Sequence, residues 1–214
     1  MKNHISIIAS EGFPFIIPLI ILTFLALFLG FHKAALIAFF VTLFVTWFFR
    51  NPEIKTPEEK GVVVSPADGK VIRVVNVHED DLLQGAFIKI SIFMNLFDVH
   101  VNRIPYSGTV KAIRYKKGRF ISANLDKASS LNEQNAIVII TEEGREILTV
   151  QIAGLIARRI VCWIKEGMRV ERGNRFGLIR FGSRLDVYLP LESIIIVKIG
   201  DRVKAGETVL GALP

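Results

Sequence analysis

From Phe13 to Phe49 the chain carries one charged residue, Lys33, whereas beyond Asn51 its apolar residues fall into short β-branched runs broken by glycine turns. Gly30-Phe31-His32-Lys33 divides the first stretch into Phe13–Leu29 and Ala34–Phe49. As helices, each half would be about 25 Å long, a little short of the roughly 30 Å hydrocarbon core of a bilayer. The pattern predicts a hairpin of two short helices in a membrane, with a monotopic pair as the second reading. Pro14 and Pro18 leave the start of the first helix open. A cleaved signal peptide is not expected, because the apolar stretch is long and doubled and only Lys2 precedes it as a basic charge.

Residues 51–61, rich in proline and charge, read as a linker. Residues 62–214 then predict antiparallel β structure, with strands at Val62–Val64, Lys70–Val77, Phe87–Phe93, Val110–Tyr115, Ala136–Thr141, Ile147–Ala153 and Ile194–Ile199. Internal repeats sharpen this picture. Pro66-Ala67-Asp68-Gly69-Lys70-Val71 is similar to Pro105-Tyr106-Ser107-Gly108-Thr109-Val110, and Gly-x-Arg-Val-x-x-Gly occurs at Gly167–Gly173 and again at Gly200–Gly206. Duplicated hairpins of this kind predict a mainly β, barrel-sandwich domain like those of lipoyl and biotin carriers. Such carriers need a lysine at a hairpin tip flanked by Met, and no such tip is present.

Charge refines the setting. Only Lys2, Lys33 and Glu11 among the charged residues precede Arg50, so the chain from Arg50 onward holds 25 of 27 basic and 19 of 20 acidic residues, a net of +6. A basic surface of this kind suits anionic lipid headgroups. Nucleic acid is not expected, since no recognised motif or aromatic-basic stripe accompanies the charge. Arg50, Lys55 and Lys60 after the second apolar half, with Lys2 before the first, put both ends of the hairpin and the β domain on the cytoplasmic side. The single cysteine, Cys162, excludes an internal disulfide and sits among Ile160, Val161 and Trp163 as a core thiol would.

Candidate chemistry concentrates at few positions. Gly182-Ser183 lies in an apolar, strand-like segment, Arg180–Pro190. Glycine leaves its carbonyl open to attack, and the next hydroxyl can attack it, turn amide into ester and leave by elimination. Alone, the dipeptide is ordinary turn chemistry. Of the four histidines, His4, His32 and His78 read as solvent or interface residues. His100 follows an apolar run, and in a strand Asp98, His100 and Asn102 would share one face, with the carboxylate orienting the imidazole. Asp68, in Ser65-Pro66-Ala67-Asp68-Gly69, is by itself a turn residue. Arg103, Arg158, Arg159 and Arg184 could each hold phosphate or carboxylate.

Taken together, these segments resemble the short, membrane-anchored phosphatidylserine decarboxylases, pyruvoyl enzymes that cut themselves. The resemblance spans Gly12–Phe15, Trp47–Glu53, Ser65–Gly69, Phe93–Pro105, Gln151–Gly154, Ala157–Trp163 and Arg180–Pro190. It implies cleavage between Gly182 and Ser183 into a large subunit, 1–182, and a small one, 183–214. It implies conversion of Ser183 into a pyruvoyl group, with Asp68 and His100 as catalytic partners and no metal or outside cofactor. Asp98, Arg103 and Arg184 are its substrate-binding candidates. The implied reaction is decarboxylation of phosphatidylserine to phosphatidylethanolamine and CO2, with membrane lipid as the other partner and a homo-oligomer compatible with it.

Two departures stand out. Longer members have a second histidine three positions after the one matching His100, where this chain has Arg103, so the base for Ser183 is either His100 in both steps or Asp68. The family's Asn-Glu-Arg-Asn reads Asn132-Glu133-Gln134-Asn135 here. The competing expectations are a membrane-tethered barrel-sandwich adaptor without catalysis, which would stay one chain, and a pyruvoyl decarboxylase for a small soluble amino acid, which would have no use for the apolar hairpin.

Overall fold

A computed structural model of the chain describes residues 6–123, 131–154, 159–180 and 182–214. The chain divides into two compact units, Met1–Glu53 and Ile54–Pro214.

The first unit is a helical hairpin. A 3-10 turn, Ser10–Gly12, leads into α1 (Phe13–Phe28), and α2 (His32–Phe48) returns beside it. Pro14 sits in the first turn of α1, where its missing N–H costs nothing, and Pro18 lies inside the helix. The apolar stretch Ser10–Phe28 is long enough to cross a membrane, whereas α2 is shorter. The few hydroxyls are satisfied within the helices: Thr23 donates to Leu19 O, Thr42 to Ala38 O and Thr46 to Thr42 O, at 2.7–2.8 Å. An apolar solvent offers no partner for such groups, so this internal satisfaction suits a bilayer.

The second unit is all β among its described residues. Its strands are β1 (Val62–Val64), β2 (Gly69–Glu79), β3 (Gly85–Met94), β4 (Val101–Arg103), β5 (Gly108–Lys116), β6 (Gln134–Ile140) and β7 (Glu146–Ala153). They continue with β8 (Ile160–Cys162), β9 (Arg169–Val170), β10 (Arg175–Ile179), β11 (Ser183–Pro190), β12 (Ile194–Ile195), β13 (Arg202–Val203) and β14 (Val209–Ala212). The run expected at Ile194–Ile199 is a strand only at Ile194–Ile195, because the chain turns at Lys198–Asp201.

The sheet order discloses how the duplication is built. One eight-stranded antiparallel sheet runs β13-β2-β3-β11-β7-β6-β5-β9, flanked by three-stranded sheets β1-β14-β12 and β4-β10-β8. The long order reads the same from either end once β13 is matched with β9, β2 with β5, β3 with β6 and β11 with β7. Main-chain bonds repeat accordingly. Val71 N donates to Asp201 O at 2.9 Å and Val110 N to Met168 O at 2.9 Å. Gly200 N donates to Val71 O and Gly167 N to Val110 O, both at 2.8 Å. The two halves also clasp reciprocally, Val64 N on Pro105 O and Arg103 N on Pro66 O. Bulges break the register at equivalent places, between Val71 and Arg73 and between Val110 and Ala112. The second half, β4 to β10, is therefore inserted in the chain between β3 and β11 of the first.

This insertion places β11 at the centre of the sheet, paired over Ser183–Pro190 with β3 and over Ser183–Tyr188 with β7. Strand alternation sends Leu185, Val187 and Leu189 to one face, where they join Ile90, Ile92, Ile137, Ile139 and Phe176 in the main core. Arg184, Asp186 and Tyr188 point to the other face, over which a second cluster with Leu83, Phe87, Val138 and Leu148 closes.

Candidate active site

Ser183 opens the central strand and is fully buried. Its main chain pairs with Met94 on β3 and Ala153 on β7. By alternation its side chain lies on the Leu185 face, the side of the main core. Among the described residues, its Oγ makes no hydrogen bond. A buried hydroxyl in that state carries a cost of about 1–3 kcal/mol, a state that Ser91, Thr149 and Ser193 share among the described residues.

The bond before it is held in an unusual way. Gly182 has φ +60, in the left-handed region that favours glycine. Its carbonyl lies against the backbone of Gly154, the residue after Ala153. A Cβ built on Gly154 would overlap the Gly182 oxygen and stand 3.0 Å from the Gly182 carbon. Only a residue without a side chain lets the carbonyl rest there.

His100 approaches the same end of the sheet from β4. It is 2% exposed, and its main-chain oxygen accepts from Ile179 N at 3.4 Å, four residues before Ser183. Its Nδ1 lies 2.9 Å from Asp98 O. A carbonyl can only accept, so the neutral ring carries its proton on Nδ1. The expected arrangement is corrected on one point: the strand begins at Val101, Asp98–His100 lies outside it after a turn closed by Asp98 N on Asn95 O, and the main-chain carbonyl of Asp98, not its carboxylate, orients the imidazole. The Asp98 carboxylate instead accepts from Asn95 N at 2.8 Å and from Arg202 Nη1 at 3.2 Å.

Asp68 reaches this turn from the loop before β2. Its Oδ2 accepts from Val99 N at 3.3 Å and its Oδ1 from Ala205 N at 2.8 Å. It thus ties the residue before His100 to the β13 hairpin. The other two arginine candidates lie elsewhere. Arg103 donates from Nη1 to Gly173 O at 2.9 Å and packs within the clasp of the two halves. Arg184 is 0% exposed on the face of β11 opposite Ser183, in a bidentate pair with Asp186, Nε to Oδ1 at 2.6 Å and Nη2 to Oδ2 at 2.7 Å. A guanidinium so engaged, on that face, does not reach a headgroup at Ser183. Arg158 lies outside the described residues, and Arg159 is exposed.

A buried amide chain went unread in the sequence. Asn135 Nδ2 donates to Gln151 Oε1 at 3.0 Å, Gln151 Nε2 to Asn102 Oδ1 at 2.8 Å, and Asn102 Nδ2 to Met94 Sδ at 3.6 Å. It links β6, β7 and β4 to the residue opposite Ser183, fixing β4, which directly follows His100, against the sheet that carries Ser183. Alternating amides in apolar strands were the available signal. Cys162 is partly buried beside this chain, and burial pushes its thiol up, the expected state of a core sulfur.

Ser183, preceded by a carbonyl seated against Gly154, heads the central strand of a duplicated β domain. The family model for phosphatidylserine decarboxylase matches residues 41–211. The chain is 57% identical over 210 residues to the phosphatidylserine decarboxylase proenzyme of Syntrophus aciditrophicus, covering 98% of this chain and 99% of that one. It is 48% identical to the protein of the same name from Geobacter metallireducens, over the whole of both chains. It is also 48% identical to that of Symbiobacterium thermophilum, over 97% of this chain and 96% of the other. The chain belongs to the phosphatidylserine decarboxylase family.

Proposed function

We propose that this protein is a phosphatidylserine decarboxylase made as a proenzyme, which cuts itself at Gly182-Ser183 and carries its electron sink at position 183. The observation that carries the reading is the state of Ser183: fully buried at the head of the central strand, its Oγ without a hydrogen bond among the described residues, after a glycine at φ +60.

Self-processing begins when Ser183 Oγ attacks the Gly182 carbonyl carbon while Nε2 of His100 takes the hydroxyl proton. The C–N bond breaks, the Ser183 nitrogen takes up a proton, and Gly182 is held as an ester. Removal of the Ser183 Cα proton expels the Gly182 carboxylate and leaves dehydroalanine, which with one water gives a pyruvoyl end and ammonia. Asp68 serves as a positioning residue, because its Oδ2 holds Val99 N beside His100 while its Oδ1 anchors it to Ala205 N.

The surroundings fit a pyruvoyl end at this position. After the cut, residue 183 stays locked between Met94 and Ala153, so the small subunit remains the middle of the sheet and the new end cannot wander. When present, the group supplies a ketone that takes up the substrate amine and draws in the electrons released with CO2. Met94, Ala153 and Ile179 give the site an apolar lining in which a carboxylate is poorly solvated. His100, its Nδ1 pinned, would hold a proton on Nε2 in its imidazolium form and could give it to the carbon left by CO2. The apolar hairpin keeps the enzyme on the bilayer that holds its diacyl substrate, with the β domain on the cytoplasmic side.

The test is the intact mass of the purified protein beside its Ser183→Ala variant. The wild type should split after Gly182 and give a small fragment one ammonia lighter than a serine-started peptide, while the variant stays whole. A folded wild type that persists as one 24.0 kDa chain would overturn the reading.

A further inference from the structure

The β unit exposes large apolar side chains next to its candidate site. Phe97 is 67% exposed, three residues before His100. Ile199 is 64% exposed and Ile196 58%. The turn bearing Phe97 and the hairpin following Ile199 are stitched together by the Arg202–Asp98 ion pair at 3.2 Å and by Asp68, which bonds Val99 N and Ala205 N. Phe97 adjoins one end of that stitch, and Ile199 lies three residues from the other.

The duplication supplies an internal control. The turn Lys165–Gly167 occupies in the second half the place that Lys198–Gly200 occupies in the first, with the same main-chain bonds. There the counterpart of Ile199 is Glu166, whose carboxylate accepts from Ile113 N at 2.7 Å. The counterpart of Ile196 is Trp163, which is partly buried. The hairpin geometry therefore does not require isoleucine at 199, and the first half shows water an apolar edge that the second half lacks. Around this edge stand Lys70, paired across from Arg202, and Lys198, both exposed. Apolar prongs with lysine and arginine beside them complement a surface that is greasy beneath and anionic on top.

We infer that Phe97, Ile196 and Ile199 form a lipid-docking edge, by which the β unit itself seats on an anionic bilayer beside the candidate site. The inference rests on the proposed lipid substrate, since a headgroup must reach Ser183 while its acyl chains stay in the membrane. The edge brings the segment between Phe97 and His100 down to headgroup depth.

Cys162 is the only cysteine, which makes the edge testable in the full-length protein. In a Cys162→Ser background, Phe97→Cys, Ile199→Cys and Glu143→Cys would each carry an environment-sensitive fluorophore. The proteins would be reconstituted in phosphatidylcholine–phosphatidylglycerol vesicles with or without doxyl-labelled acyl chains. Labels at 97 and 199 should shift to the blue and be quenched by the doxyl lipid, while the label at 143 is not. No quenching at 97 and 199 overturns the proposal. So does a blue shift that follows protein concentration rather than lipid, which would make the edge an interface between copies. As a second readout, Phe97→Asp with Ile199→Asp should lower turnover of phosphatidylserine in vesicles by about tenfold, the loss of roughly one buried apolar side chain, and spare a dispersed short-chain phosphatidylserine. Equal loss on both substrates would overturn it. If no decarboxylation occurs with any substrate, the enzyme reading falls while the quenching result still judges the edge.

Discussion

Replacing Gly154 with alanine perturbs the proposed cleavage site without touching Ser183, His100 or Asp68. The added methyl would overlap the Gly182 oxygen and stand 3.0 Å from its carbon, where about 3.5–4.0 Å is a comfortable carbon contact. Either the Gly154 strand end or the Gly182 carbonyl must move, by on the order of 1 Å, and such a misplacement of a reacting group lowers rates about a hundredfold. Ala153 is held by its pairing with Ser183 on β11 and by its N–H, which donates to Glu133 O at 2.9 Å, so the Gly182 carbonyl yields. The assay is the time course of precursor loss in freshly made protein, followed by intact mass, with thermal melting run in parallel. The expected outcome is a folded precursor that matures about a hundred times more slowly than wild type. A folded Gly154→Ala protein maturing at the wild-type rate would refute the claim that this close approach sets the carbonyl for attack.

Asp186→Ala should destabilise the β unit by about 3–5 kcal/mol, because it strands the Arg184 guanidinium in the interior. At roughly 2–4 °C per kcal/mol this is a drop on the order of 10 °C in melting temperature. The double change Arg184→Met with Asp186→Leu should recover most of it, and failure to recover would mean the pair has a role beyond its own neutralisation. Burial raises the Cys162 thiol above its ordinary value of 9.0, so the unfolded chain ionises first. Its contribution to stability is whole below that value and is lost as pH rises from it towards the folded value. Thiol reagents at pH 8 should accordingly modify the native protein much more slowly than the unfolded one, and equal rates would contradict the burial argument.

The local pattern of the chain was enough for the apolar hairpin, most of the β runs and the repeated turns, because helix, strand and turn preferences act over a few residues. The chemistry proposed for Gly182-Ser183 could be framed for the same reason, since the nucleophile and electrophile it needs are neighbours in the chain. Side chains that act across the fold were not. Asp98 read as the partner of His100 because strand alternation was assumed, yet the chain turns there and the main-chain carbonyl takes that place. Arg184 read as a ligand for phosphate because nothing local reveals which face of β11 is sealed over Asp186. Gly154 gave no sign of its role, since its contact with Gly182 depends on β7 and β11 becoming neighbours. That adjacency follows from one half of a duplicated domain being inserted into the other, an arrangement fixed by long-range pairing and burial, on which short-range sequence preferences have no purchase.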